Sequence, residues 1–132
     1  MKLVLDEPGS DDTRDLLSDT TAIHSSRLLA PESLSAVART TAAGPFTPAG
    51  AARAFHLLER LLDAVSPVDL EEEIAERASE LARSLCLRGA DAVHLASYEL
   101  IEAGDALFVT ADGALAHAAE TLGYAIAVPG AR

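Results

Sequence analysis

The sequence predicts an α/β fold, a parallel sheet whose strands are joined by crossover helices. Short apolar runs such as Leu107-Phe108-Val109 alternate with longer amphipathic stretches, the pattern of strands connected by helices. Several helical stretches carry their own start and stop residues. The chain has 132 residues, 49% hydrophobic and only 4% aromatic. That bounds it to one domain with a mostly aliphatic core, able to bury roughly 68% of its unfolded surface.

Leu3-Val4-Leu5 is apolar and ends at Asp6, and Glu7-Pro8-Gly9-Ser10 follows as a turn. Ser10 is placed to cap a short helix over Asp11 to Ser18. Thr20 to Ser25 reads as a strand. A helix over about Arg27 to Thr41 stops at Gly44-Pro45. Thr47-Pro48 opens the next, an N-cap with proline at the first helical position. Its stripe Ala51, Phe55, Leu58 and Leu62 has helical spacing.

Val65 to Leu70 is a short strand. Asp69 and Glu72 resemble a capping box, and Glu71-Glu72-Glu73 suits the positive end of a helix. That helix carries Ile74, Ala78, Leu81, Ala82 and Leu85 on one face and ends near Gly89. Asp91 then caps an apolar helix to about Ala103, closed by Gly104. Ala106 to Val109 is a strand. Asp112-Gly113 starts a last helix that Gly123 ends, and Tyr124 to Val128 is the final strand, stopped by Pro129-Gly130.

Composition narrows the function classes. One cysteine, Cys86, excludes an internal disulfide and fits a reducing cytoplasm. Cys86 reads as a packing residue at a helix end. No apolar run approaches the ~20 residues of a membrane span, and Met1-Lys2-Leu3-Val4-Leu5-Asp6 is charged too early for a secretory signal. The net charge of −11 argues against non-specific nucleic-acid binding and suits a basic protein partner. It still permits a nucleic-acid enzyme, because cations held by clustered carboxylates invert the local charge. The sequence has no Walker-type loop, Rossmann glycine pattern or nucleophile elbow.

Three carboxylates stand out. Asp112 follows an apolar strand and precedes a helix, where functional groups gather in open parallel sheets; it is equally an N-cap. Asp91 opens a helix that is apolar nearly all round, as a cap or as a ligand. Glu32 lies beside Leu28, Leu29 and Ala36, and Arg39 offers it a partner. His94 reads as a core residue, and His24, His56 and His117 lack metal-ligand spacing. Together, acids from separate elements of one small domain suggest a hard-cation site of oxygen ligands, which selects Mg²⁺ or Mn²⁺ over zinc.

The stretch Leu87-Arg88-Gly89-Ala90-Asp91-Ala92-Val93-His94-Leu95-Ala96, followed by Phe108-Val109-Thr110-Ala111-Asp112, closely resembles PIN-domain proteins of the VapC toxin type. Ser25-Ser26-Arg27-Leu28-Leu29-Ala30-Pro31-Glu32 resembles the segment that carries their glutamate. The resemblance covers nearly the whole chain. It implies an α/β/α sandwich with a central parallel sheet, and Mg²⁺-dependent endoribonuclease activity as the toxin half of a type II toxin–antitoxin pair. It also implies an RNA substrate, a homodimer and a small antitoxin covering the acidic site, and it carries metal-binding roles onto Glu32, Asp91 and Asp112.

One departure bears on activity. PIN domains open with an apolar strand ending in Asp, then a helix leading into a segment like Leu3 to Ser10. On that correspondence Met1 to Leu5 are the tail of the first helix, and the opening strand and its Asp are missing. The expectation is a single PIN-like domain over 1–132, truncated at its N-terminus or read from a start codon downstream of the true one. Periodicity alone allows Leu3-Val4-Leu5-Asp6 to be a strand, with Asp6 as a fourth carboxylate. Three functions therefore compete. One is a ribonuclease toxin. Another is an inactive remnant that binds an antitoxin or dimerises. The third is a plain α/β domain whose acids are helix caps.

Overall fold

A computed structural model describes residues 10–18, 22–101 and 106–130. The expected Leu3–Asp6 strand, Asp6 itself, the turn before Ser10 and the Gly104 helix stop lie outside those residues. The described residues fall into two compact units, one of 10–18, 22–23 and 28–66, the other of 24–27, 67–101 and 106–130.

The first unit is helical: α1 (Ser10–Ser18), α2 (Leu29–Ala43) and α3 (Pro48–Asp63). α2 tolerates Pro31 because a first-turn N–H has no helical acceptor to lose. It ends at Gly44, whose N–H donates to the Thr40 carbonyl at 3.0 Å. Gly44 is followed by a helix start of the expected chemistry. The Thr47 hydroxyl accepts from the Gly50 N–H at 3.0 Å, and Pro48 takes the first position, where its preset φ fits. Val37, Ala54 and Leu58 are buried between α2 and α3, with Leu34, Phe55 and Leu62 packed around them. The predicted α3 stripe is correct at Phe55, Leu58 and Leu62; Ala54 is the buried alanine and Ala51 is only half-buried.

The second unit holds the larger core. β1 (His24–Ser26) pairs with β2 (Ser66–Val68), and α4 (Glu72–Leu85), α5 (Gly89–Ile101), β3 (Phe108–Val109), α6 (Gly113–Thr121) and β4 (Ile126–Ala127) follow. Ile74, Ala78 and Leu81 of α4 meet Ala92, Leu95, Ala96 and Tyr98 of α5. Leu115, Ala118 and Ala119 of α6 complete the cluster. Tyr98 stands edge-on to Phe108 and to Tyr124, both at 5.1 Å between ring centroids, and its hydroxyl donates to the Ala106 carbonyl at 3.2 Å. Edge-to-face geometry places the positive ring rim on a negative ring face.

The described residues form two two-stranded sheets where the sequence predicts one central sheet. β3 and β4 run parallel, with Phe108 opposite Ile126 and Val109 opposite Ala127. The strands are two or three residues long, shorter than the apolar runs that announce them. In β2 the reason is local: Pro67 has no N–H for a ladder, which confines such a strand to an edge.

Three helix boundaries also correct the sequence reading. α5 begins at Gly89, so Asp91 lies in its first turn and does not cap it. α4 is preceded by Glu71 with no side-chain cap bond, and Asp69 instead accepts from Arg27. Cys86 is exposed and takes the left-handed conformation that ends α4, at φ 54°. That position usually falls to glycine. No helix among the described residues is long and apolar enough to cross a membrane.

Candidate metal centre

Asp112 is held through both its backbone and its side chain. Its backbone is extended (φ −84°, ψ 119°), as a helix N-cap requires, and its Oδ1 accepts from the Leu115 N–H at 3.0 Å. Its own N–H donates to the Thr110 hydroxyl at 3.1 Å. Its other oxygen, Oδ2, faces Arg88, whose Nη2 donates to it at 3.1 Å. The oxygen that caps α6 and the oxygen that meets Arg88 are therefore different atoms of one carboxylate.

Asp91 sits in the first turn of α5, where the unpaired N–H groups favour an anion. Its Oδ2 accepts from Arg88 Nε at 2.8 Å. Arg88 immediately precedes α5, three residues before Asp91, close enough in a helical turn for the side chains to meet. One guanidinium thus bridges the acids at the starts of α5 and α6. The side chains are 16% exposed for Asp91, 38% for Asp112 and 78% for Arg88. The arginine is the more solvated member of each pair.

Glu32 lies exposed in the first turn of α2, in the first unit, as does the partner proposed for it, Arg39, further along that helix. The structure brings Asp91 and Asp112 together and adds Arg88, which sequence reasoning left without a role. Its three-residue spacing from Asp91 was the available signal. Thr110 was also overlooked, although Thr-x-Asp before a helix is a local hydroxyl–backbone motif. Among the described residues no three Asp, Glu, His or Cys side chains gather into a set that could hold a metal. The pair still suits a hard cation. Mg²⁺ is commonly held by one or two carboxylates, with waters and substrate phosphates completing its shell.

A second ion-pair centre lies elsewhere in this unit. Arg77 donates from Nε and Nη2 to the two oxygens of Glu99, at 2.6 and 3.0 Å, and from Nη1 to Glu80 at 3.0 Å. The Tyr124 hydroxyl donates to Glu99 Oε1 at 2.8 Å. Burial alone would push the Glu99 carboxyl up. The hydrogen bonds from Arg77 and Tyr124, with the charge of Arg77, outweigh it and hold the group below its ordinary value. The bonds to Glu99 and then Glu80 raise Arg77 in turn.

An α/β chain with acids at two helix starts, one directly after a short parallel strand, fits the family comparison. The PIN domain pattern matches residues 1–121, and the chain belongs to the PIN-domain family. It is 39% identical over 97 residues to Ribonuclease VapC45 of Mycobacterium tuberculosis (strain CDC 1551 / Oshkosh). The same identity and span relate it to Ribonuclease VapC49 of strain ATCC 25618 / H37Rv. Each match takes in 74% of this chain and 67% of the relative.

Proposed function

We propose that this chain is a metal-dependent endoribonuclease, the toxin half of a type II toxin–antitoxin pair acting in the cytoplasm. The observation that carries the reading is the convergence of Asp91 and Asp112 on one guanidinium. Similarity to two proteins named as ribonucleases supports it. Asp91 and Asp112 are the metal-binding acids, with Glu32 as a third, and the reading takes 1–132 as one PIN domain with a central parallel sheet.

When bound, Mg²⁺ or Mn²⁺ would supply charge stabilisation for the phosphodiester and lower the pKa of a water. The chain's own residues prepare for it. The Leu115 N–H holds Oδ1 of Asp112, while Oδ2 meets Arg88. Asp91 lies at the positive end of α5. On a chain of net charge −11, RNA approaches only where bound cations reverse the local field. The same acidity suits a basic antitoxin, and a homodimer is part of the reading.

The test is cleavage of RNA by the purified chain with Mg²⁺ or Mn²⁺. Dependence on the ion and loss of cleavage in Asp91→Asn are expected. Cleavage that survives both EDTA and that substitution rejects the reading. A second reading is an inactive PIN remnant that binds an antitoxin or dimerises. It draws on the observation that no third acid joins the pair among the described residues. Antitoxin binding or self-association, with no cleavage at any ion concentration, would select it.

A further inference from the structure

We propose that Arg88 is the resident counter-cation of the Asp91–Asp112 pair and yields the pair when a divalent cation binds. The inference rests on the reading above, that these acids bind the metal, and adds how the site is regulated.

Two carboxylates are drawn to one guanidinium. Arg88 makes that tolerable by placing one positive charge between them, with Nε on Asp91 Oδ2 and Nη2 on Asp112 Oδ2. It holds one oxygen of each aspartate, Oδ2 in both. Asp112 Oδ1 is already committed to the Leu115 N–H, which leaves Oδ2 for ligation. A divalent ion and the guanidinium therefore compete for the same atom. The exchange is easy for this arginine because its side chain is 78% exposed and regains water as it leaves. The aspartates stay in place, one in the first turn of α5 and one tied to α6. A dication then neutralises both charges where the arginine neutralised one.

The experiment is Mn²⁺ binding to the full chain, followed through the EPR signal of the free aqua ion, with melting temperature recorded alongside. Arg88→Gln and Arg88→Ala are each expected to tighten the Mn²⁺ Kd by about 3- to 10-fold, the scale set by releasing two solvent-exposed ion-pair contacts. Arg83→Gln removes the same charge from the last turn of α4 and is expected to leave the Kd near wild type. Unchanged or weaker binding in the Arg88 variants overturns the inference, as does an equal gain in Arg83→Gln. In both cases the metal reading stands if Asp91→Asn still abolishes binding. Mn²⁺ binding that ignores Asp91→Asn, or no binding in any variant, overturns the metal reading and this inference with it.

Discussion

Two arginines in the second unit each bridge two carboxylates, and they do different things. Arg77 sets a bidentate fork on Glu99, whose side chain is 15% exposed, and Tyr124 adds a third donor. The carboxylate has a donor for each oxygen, and the contact ties α4 to α5 and to the chain beyond α6. Arg88 gives one N–H to each of two different aspartates and stays largely in water. The first is a closed tie in which all partners lose if one leaves. The second is open on the arginine side, and Asp112 keeps its bond to the Leu115 N–H without it. The exposure of the arginine, 41% for Arg77 against 78% for Arg88, and the number of donors on one acid separate the two centres.

The largest expected effect breaks this comparison on activity. Asp91→Asn should lower ion-dependent RNA cleavage by at least 10²-fold, the scale on which an electrostatic group is missed in a reacting site. Glu99→Gln should leave cleavage per folded molecule unchanged. Single-turnover cleavage of a labelled RNA, with the folded fraction checked by circular dichroism, measures both. Equal losses in the two variants would show that the centres are not functionally distinct.

Next in size is stability. Glu99→Ala strands the Arg77 fork and the Tyr124 hydroxyl, at a cost of about 2–3 kcal/mol. On a chain of this length that lowers Tm by roughly 6–12 °C. Arg88→Gln removes the exposed contacts to Asp91 and Asp112 and should cost below about 1 kcal/mol. Thermal melts of both variants in EDTA give the contrast directly. A Glu99→Ala melt within 2 °C of wild type, by the same scaling, would show that the tie is ornamental.

The pH dependence sharpens the same point. The Glu99 carboxyl is held below its ordinary value in the folded protein. Its contribution is therefore fully present above the unfolded carboxylate pKa of about 4.3 and is lost as pH falls through the lower folded value. The Tm gap between wild type and Glu99→Gln should be widest above about pH 5 and should narrow steadily on acidification below ~4.3. A gap independent of pH would mean that the carboxylate's charge contributes nothing.

What the sequence revealed of these centres follows from the range of the forces involved. Thr47-Pro48, Gly44, Asp112-Gly113 and Gly123 mark helix ends by local backbone chemistry, and each stands at or next to the expected boundary. The Asp91 boundary failed for the same local reason. Gly89 looks like a stop for α4, yet α4 ends at Leu85 with Cys86 in the glycine-like conformation, and Gly89 starts α5. The Arg77–Glu99–Tyr124 tie spans separations of 22 and 25 residues, which no periodicity reports. Arg88 was legible in principle, three residues from Asp91. Its second partner, Asp112, depends on how α6 packs against α5. The acids were found because a charge at the start of an apolar helix is conspicuous. Their meeting could not be read without the fold.

The smallest effect separates the two roles of Asp112 itself. Asn caps a helix about as well as Asp, whereas Ala removes the acceptor for the Leu115 N–H and costs about 1 kcal/mol. Asp112→Asn should therefore melt close to wild type in EDTA, and Asp112→Ala about 3–5 °C lower. Both should lose the metal-dependent part of any rise in Tm, because neither keeps the charged Oδ2 that now faces Arg88. If Asn melts as low as Ala, the charge is part of what holds the helix start. The bridge from Arg88 would then belong with the Arg77 centre as a structural tie. If Asn keeps both its stability and its response to Mn²⁺, the carboxylate is only a cap, and the difference between the two arginines is one of exposure alone.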